Sequence, residues 1–161
     1  NYIVADCQSI PFKNNYFDTI VANHMLFYLK DLKQGLTEIT RVLKNNGTFY
    51  CTTYSKYHMQ EISELAQNFD SRISLSDDPL PERFGLENGK DILKSYFNYV
   101  ELKKYEDYLL ITEAQPLIDH CNQNEYLGNR LKEFKIYIED LIKESQGIKI
   151  TKDSGLFICT K

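Results

Sequence analysis

The chain has 161 residues, of which 42% are hydrophobic and 26% are charged, proportions typical of a globular domain. Its formal net charge is -4 and its acidic and basic residues are interspersed, so no basic face is available for contacts to a phosphate backbone. We therefore expect no nucleic acid partner. No apolar run approaches the length of a membrane-spanning helix, so we expect a cytoplasmic protein without a membrane partner.

Cysteine and histidine residues are few and lie far apart along the chain. The sequence contains no C-x-x-C pair and no H-x3-H pair, which are the local patterns of zinc sites and redox motifs. We therefore predict no metal site, and we expect free thiols at the four cysteines, Cys7, Cys51, Cys121 and Cys159.

The first third of the chain alternates between strands and a helix. Apolar runs predict strands at 1–6, 19–22 and 48–53. Between the last two, Asp31 and Gln34 form the pattern of a capping box, and apolar residues recur at helical spacing from Leu32 to Leu43. The turn at 45–47 is expected to end this helix. The order strand, helix, strand predicts a right-handed βαβ unit.

The remainder of the chain continues this alternation. Helices are predicted at 59–69, 88–97, 114–121 and 131–142, and strands at 99–105, 108–112 and 156–160. The proline-bearing stretch 74–82 predicts a loop, and 152–155 predicts a turn. The last two strands are joined through a helical insert, so they are expected to pair antiparallel at one edge. The whole pattern predicts an α/β fold.

Three motifs occur in the order and spacing of the type 11 methyltransferases. They are Asp6-x4-Pro11-Phe12-x4-Phe17-Asp18, then Ala22-Asn23-His24-Met25-Leu26, then Arg41-Val42-Leu43-Lys44-x2-Gly47. The likeness continues through 84–89 and 151–157, so the chain resembles a class I, Rossmann-like S-adenosylmethionine-dependent methyltransferase over nearly its whole length. The resemblance implies a partial Rossmann-like sheet, mostly parallel with an antiparallel edge, and helices on both faces.

The same resemblance implies that the family's first two strands and its glycine-rich cofactor loop should precede Asn1. The 7 glycines of the chain include no G-x-G pattern, so no other segment replaces that loop. We therefore expect a single truncated methyltransferase domain over 1–161. Its parts are the remainder of the cofactor-binding half (1–55), a helix, loop and strand (56–107), a helical insert that serves as a substrate cover (108–147) and a closing strand (148–161).

The resemblance also implies a cofactor site. Asp6 would accept a hydrogen bond from the adenine amino group of S-adenosylmethionine, and the Cys7 backbone amide would face a ring nitrogen. Without the family match, Asp6 would be read as a turn former or helix cap. Asn23, His24 and Met25 would line the methionine end of the cofactor. For His24, the one candidate catalytic residue, a polar residue opening the next helix and a substrate-side or proton-relay role stay equally open.

Two functions from different classes follow. In the first, the intact parent methylates a small molecule by holding the reactants in line, and the present fragment is inactive because it lacks half of the cofactor site. Acceptor selection would then lie in 108–147. In the second, the chain is a non-catalytic interaction or dimerisation module. Arg41 and Lys44 are expected on a solvated helix face. Because 19–22 would be an unpaired edge, we expect either that 1–5 pairs with it or that the chain self-associates.

Overall fold

The computed structural model describes residues 2–73, 75, 80–121 and 125–161, and the chain divides into two compact units. The first unit comprises Asn1–Lys56, Pro79–Tyr105 and Ser154–Lys161, and the second comprises Tyr57–Asp78 and Glu106–Asp153. Of the predicted loop 74–82, residues 74 and 76–79 lie outside the described residues, and residues 80–82 belong to a short helix rather than to a loop. None of the helices in the described ranges is long and apolar enough to cross a membrane.

Four strands form one mixed sheet. They are β1 (Phe17–Asn23), β2 (Leu43–Tyr54), β3 (Tyr99–Ile111) and β4 (Ile148–Thr160), in the order β1-β2-β4-β3. β1 pairs parallel with β2, and β4 pairs antiparallel with the other side of β2. This α/β architecture confirms the predicted fold class. The last two strands, β3 and β4, are neighbours at one end of the sheet, where the sequence predicted them to lie.

The helix between β1 and β2 begins as the sequence predicts. α1 spans Leu32–Val42, and its N-cap residue Asp31 accepts a hydrogen bond from the Gln34 backbone amide at 2.9 Å. Its apolar face is buried because Leu36, Ile39 and Val42 recur at helical spacing. The parallel pairing of β1 with β2 on either side of this helix agrees with the predicted βαβ unit.

The end of α1 differs from the prediction. The helix ends at Val42 and β2 begins at Leu43, so no loop separates them and the predicted turn 45–47 lies inside the strand. Phe17 pairs with Leu43 whereas Thr19 pairs with Thr48, so this stretch forms an irregularity in the β1–β2 register. Asn46 has a φ of 62°, the left-handed conformation that Asn tolerates. Asn46 therefore lies in a bulge of a strand rather than in a turn that ends a helix.

The first unit has an apolar core on one face of the sheet. Alternate residues of β2 are buried, among them Phe49 and Cys51, and β4 adds Phe157 and Cys159. The ring of Phe84 lies edge-on to Phe157, with centroids 5.9 Å apart. The short helices α3 (Leu80–Arg83) and α4 (Gly89–Leu93) flank this contact. α4 lies within the helix predicted at 88–97.

The second unit contains the other helices, α2 (Gln60–Phe69), α5 (Gln115–Cys121), α6 (Glu125–Gly128) and α7 (Leu131–Ser145). Its buried cluster includes Ile62, Ala66, Leu117, Leu127, Phe134 and Ile138. These bounds confirm the helices predicted at 59–69, 114–121 and 131–142 to within a few residues. Phe134 and Ile138 of α7 are fully buried, as their spacing predicts.

The strand predicted at 1–6 is wrong. Residues 2–5 belong to no strand, the side chains of Tyr2 and Val4 are fully exposed, and Asp6 makes only an isolated bridge with Ser9. An extended segment becomes a strand only when a neighbour satisfies its backbone groups, and no described strand lies beside this one. Direct pairing of 1–5 with 19–22 therefore does not occur.

The turn predicted at 152–155 is also wrong, because these residues lie inside β4. Ser154 pairs with Tyr54 and Gly155 pairs with Thr53 in the antiparallel ladder. A Cβ atom at Gly155 would lie 2.9 Å from a Leu86 methyl and 3.2 Å from the Lys103 carbonyl oxygen. The glycine therefore permits a close approach within the sheet rather than a turn. The two strands predicted at 99–105 and 108–112 are one continuous strand, β3.

Candidate functional site

Asp6 lies in a tight turn that its own carboxylate helps to close. Its Oδ1 accepts a hydrogen bond from the Gln8 backbone amide at 2.8 Å, and its carbonyl oxygen accepts one from the Ser9 amide at 3.0 Å. These bonds give Asp6 the turn-forming role that local sequence suggested. Asp6 is nonetheless exposed, and an ionised carboxylate has about four acceptor positions, so it retains capacity for a further donor.

Gln8, which lies within this turn, joins it to the beginning of α1. Gln8 Oε1 accepts a hydrogen bond from the Asp31 amide at 2.6 Å, and the Gln8 carbonyl oxygen accepts one from Gln34 Nε2 at 3.2 Å. Asp31 and Gln34 are the two residues that the sequence identified as a capping box. Their amide groups therefore fix the helix start and the loop that carries Asp6 at the same time.

The rest of the loop is bound by one arginine. The Arg41 guanidinium donates to the Ile10 carbonyl at 2.9 Å, to the Phe12 carbonyl at 2.7 Å and to Asn14 Oδ1 at 2.9 Å. It also forms a two-pronged ion pair with Glu38, at 2.6 and 2.8 Å. The prediction that Arg41 lies on a solvated helix face is therefore wrong. The planar guanidinium fork can donate to several oxygen acceptors at once, and these acceptors surround it. The Arg41 side chain is therefore only 30% exposed.

Glu38 completes this network from the adjacent turn of α1. Its Oε2 accepts a hydrogen bond from the Ile10 backbone amide at 2.8 Å, and its side chain is 13% exposed. The hydrogen bonds from Arg41 hold the pKa of Glu38 below its ordinary value, although partial burial opposes them. Lys44, the other basic residue expected on a solvated helix face, lies instead in β2, where it is half-buried and pairs with Asp18 at 2.8 Å.

Cys7 lies beside the first turn of α1, where Gly35 leaves space. A Cβ atom at Gly35 would be 2.5 Å from Leu29 Cδ1 and 3.8 Å from Cys7 Sγ. Burial raises the pKa of the Cys7 thiol, and the negative charges of Asp6 and Glu38 raise it further. The thiol therefore stays protonated near neutral pH, which makes it a packing group rather than a nucleophile.

Asn23 is the last residue of β1, and His24 and Met25 follow it, at the end of the strands where open α/β sheets bind ligands. His24 has a φ of 46°, a left-handed conformation that is costly for a residue with a side chain. The neighbouring strand holds it there, because its amide donates to the Thr52 carbonyl at 3.2 Å and to Thr52 Oγ1 at 3.1 Å. Its ring stacks on Tyr54, with centroids 6.0 Å apart.

The structure thus brings the five candidate residues into one unit, but in two environments. Cys7 and Met25 pack against the same apolar cluster, which also contacts Leu29. The short 3-10 helix after β1 begins at Leu26, so His24 itself does not open a helix. Together with Thr52, His24 instead lines a cleft of about 350 Å³ whose other walls come from β3 and β4.

Sequence reasoning missed Glu38 and the lysines of β3 that line this cleft, Lys103 and Lys104. A signal existed for Glu38, since a Glu three residues before the Arg of a family motif predicts an ion pair on one helix face. The lysines carried no motif that could have indicated them. In the described ranges, no three His, Cys, Asp or Glu side chains are grouped so that they could hold a metal ion.

Comparison with curated proteins relates the chain to methyltransferases. Residues 1–51 match the family model of the methyltransferase domain. The chain is 24% identical to malonyl-[acyl-carrier protein] O-methyltransferase of Chlorobium luteolum over 159 residues, which cover 94% of this chain and 56% of that protein. A stretch of 73 residues, 45% of this chain, is 30% identical to the ubiquinone/menaquinone biosynthesis C-methyltransferase of Vibrio cholerae and covers 28% of that enzyme. The chain therefore spans about half, or less, of the length of these relatives.

Solved structures share the fold at low sequence identity. A protein of Bacillus halodurans assigned as a methyltransferase superposes with a TM-score of 0.60 at 14% identity, over 99% of this chain and 76% of that one. The YcgJ protein of Bacillus subtilis superposes with a TM-score of 0.55 at 17% identity, over 98% of this chain and 69% of that one. Residues 1–51 are thus similar to the methyltransferase domain family, and the chain shares the fold of these solved structures.

Proposed function

We propose that the protein that carries this chain transfers a methyl group from S-adenosylmethionine to a small-molecule acceptor. The observation that carries this proposal is the anchoring of the Asp6 loop on α1. Within the family-matched residues 1–51, Glu38 and Arg41 bind the backbone at Ile10 and Phe12, at distances between 2.7 and 2.9 Å. A loop held in this way presents an exposed carboxylate in one fixed place, as recognition of a flat heterocycle requires.

In the proposed complex Asp6 accepts a hydrogen bond from the exocyclic amine of adenine, and the Cys7 amide donates to a ring nitrogen. A carboxylate and a backbone amide supply the complementary acceptor and donor that this edge of adenine needs. Glu38 and Arg41 do not touch the cofactor in this proposal. They are positioning residues, because they hold the backbone from which Asp6 and Cys7 project.

The methionine end of the cofactor is proposed to lie against Asn23, His24 and Met25. Left-handed conformations of residues other than glycine cluster at ligand sites, where the surrounding structure holds them, and Thr52 holds His24 in this way. Methyl transfer requires the nucleophile and the methyl group to be in line, so correct placement supplies most of the rate. No dedicated base is assigned in this mechanism.

Cofactor titration of the intact protein tests the proposal. Asp6→Ala is expected to weaken S-adenosylmethionine binding about tenfold or more in calorimetry, because one charge-assisted hydrogen bond is lost. Asp91→Ala is the matched control, since Asp91 is an exposed acid that pairs with the surface residue Lys94 at 3.2 Å. Equal affinities for Asp6→Ala and the wild-type protein would contradict the adenine assignment.

We further propose that the 161 residues alone bind S-adenosylmethionine far more weakly than the intact protein and do not catalyse the reaction. The support is the absence of any G-x-G pattern among the 7 glycines, since such a loop gives the close backbone approach that the cofactor needs. A micromolar dissociation constant, about -8 kcal/mol, for the 161 residues alone would overturn this proposal.

Self-association of the 161 residues is proposed as a second property. β1 is an end strand of the described sheet, and the side chain of Val21 within it is 59% exposed. An unpaired apolar strand edge is a template for pairing with a second copy. Light scattering at several concentrations is expected to show a dimer that Val21→Lys weakens. A monomeric mass at every concentration would contradict the proposal.

A further inference from the structure

The cleft beside His24 has an unusual charge for this molecule. It belongs to the first unit and is lined by three basic residues, His24, Lys103 and Lys104, and by no acidic residue. The chain as a whole has 23 acidic against 19 basic residues, excluding histidine. A concave surface lined by only one sign of charge raises the local concentration of ions of the opposite sign. The cleft therefore favours an anion.

The two lysines differ in how far their charge is already neutralised. Lys103 Nζ lies 4.0 Å from Glu101 Oε1, at the limit of an ion pair, and both side chains are well exposed. Lys104 forms no ion pair with any residue that the structure describes. An exposed pair at this distance contributes little, so at least one positive charge at the cleft has no strong partner.

Hydroxyl groups supply directional donors in the same cleft. Thr52 Oγ1 accepts the His24 amide, and accepting this bond leaves the Thr52 hydroxyl proton available for an acceptor. Ser154 of β4 also lines the cleft, and in the sheet it pairs with Tyr54 of β2. Lysine ammonium and hydroxyl groups together are typical partners of carboxylate and phosphate oxygens.

The location of the cleft relates it to the reaction. His24 follows the carboxyl end of β1, and Thr52 lies near the carboxyl end of the parallel strand β2. Ligands of open α/β sheets bind at this end of the strands. His24 is also the residue beside which the methionine end of the cofactor is proposed to lie, so a group bound in the cleft would be near the transferred methyl.

We propose that this cleft binds a carboxylate or phosphate group of the methyl acceptor, with Lys104 as its principal electrostatic partner. This inference rests on the proposed function, because the bound molecule is a methyl acceptor only if the protein transfers a methyl group. Binding of an anion in the cleft does not itself require the cofactor. It narrows the small-molecule acceptor to an anionic one. Lys104 is a specificity-determining residue in this proposal, because it holds a part of the substrate that does not react.

The test uses inorganic phosphate and acetate as probes, in the protein without cofactor and at constant ionic strength. Amide chemical shifts are followed by nuclear magnetic resonance during each titration. We expect shifts at His24, Thr52 and the 103–105 segment with at least one probe. Lys104→Gln is expected to weaken that binding about fivefold or more, as for the loss of one charge-assisted contact. Lys33→Gln, an exposed lysine on α1, is the matched control and should leave the affinity unchanged.

Each outcome decides the proposal. Binding of phosphate alone supports a phosphorylated acceptor, and binding of acetate alone supports a carboxylate. No shift at the cleft with either probe, or equal weakening by Lys104→Gln and Lys33→Gln, overturns it. Because no S-adenosylmethionine is present, failure of the anion site is distinguishable from failure of the proposed cofactor site, which calorimetry measures separately.

Discussion

Each unit of the molecule contains an arginine bound to carboxylates, but the two arginines have different partners. In the first unit Arg41 binds Glu38 and also two backbone carbonyls of a loop that precedes β1. In the second unit Arg130 binds Asp70 at 2.5 Å and Glu133 at 2.7 Å, and its guanidinium lies 4.5 Å from the ring centre of Phe69. Arg130, the residue before α7, thereby joins the start of that helix to Asp70, the residue after α2.

The two arginines differ in how many hydrogen-bond donors their partners retain when the arginine is removed. Asp70 keeps a second arginine, because Arg72 donates to both of its oxygens at 2.9 and 2.6 Å. Among the described residues no second arginine reaches the carbonyls of Ile10 and Phe12. Ile10 keeps only the Phe12 amide, at 2.8 Å, and Glu38 keeps the Ile10 amide but loses its ion-pair partner. Loops lack the repeating backbone bonds of helices and sheets, so one side chain has to satisfy their polar groups. The stability of the Asp6 loop should therefore depend on Arg41 more than the stability of α2 and α7 depends on Arg130.

Arg41→Ala gives the largest expected effect. It removes the guanidinium donors from Glu38 and from the Ile10 and Phe12 carbonyls, of which Glu38 keeps the Ile10 amide and Ile10 keeps the Phe12 amide, so we expect a clear loss in the free energy of unfolding. Urea unfolding measures this loss. Arg41→Lys keeps the charge without the guanidinium fork and should recover only part of it. If Arg41→Lys were as stable as the wild-type protein, charge alone would account for the role of Arg41.

Arg130→Ala is expected to lower the free energy of unfolding less than Arg41→Ala does, because Asp70 retains Arg72 and Glu133 is exposed. The same urea experiment applies, and Arg72→Ala is the companion variant. The double replacement of Arg130 and Arg72 should cost more than the sum of the single ones, since only then does Asp70 lose both arginines. If Arg130→Ala lowered the free energy of unfolding as much as Arg41→Ala does, the contrast between the two units would be wrong.

Gly35→Ala sharpens the comparison within the first unit. The new methyl group would meet Leu29 Cδ1 at 2.5 Å, but this atom is the end of a flexible side chain and can move. Better helix propensity offsets part of the overlap, so we expect a net loss of about 1 kcal/mol. Gly128→Ala is the control, since nothing lies within 4 Å of its added Cβ. Its measured stability should be equal to or slightly above that of the wild-type protein.

The smallest expected effect is a pH dependence. The pKa of Glu38 is lower in the folded chain than its ordinary value of 4.5, so its ionised form stabilises the fold above that pH. The contribution is lost as the pH falls below 4.5 and through the lowered pKa, because the proton is then bound in both states. Urea midpoints of Glu38→Gln should accordingly fall less steeply between pH 5 and 3 than those of the wild-type protein. Identical slopes would contradict the assignment.

Local patterns predicted the elements whose signals lie within one helix or strand. The cap at Asp31 and the apolar face of α1 follow from residues three and four positions apart, and both are confirmed. The strand at 1–6 failed because an apolar run says nothing about whether a neighbour is present. The turn at 152–155 failed because Asp-Ser-Gly suits a turn, while its pairing with β2 is set by residues about 100 positions away.

The candidate site was predictable to the same extent. The family motifs located Asp6, Cys7 and 23–25, and the structure places all of them in the first unit. The role of Arg41 was missed because its loop partners lie 27 to 31 positions away in the chain, beyond any periodic pattern. Lys104 was missed for a related reason, since only the sheet order brings β3 and β4 to the same cleft as His24.

The direct passage from Val42 of α1 to Leu43 of β2 limits how this part of the chain can change in length. One residue inserted at that junction would rotate the helix by about 100° relative to the strand. Arg41 and Glu38 would then face away from the loop that carries Asp6, while β2 kept its place in the sheet. Insertions and deletions should therefore be selected against at this junction, whatever substitutions its residues tolerate.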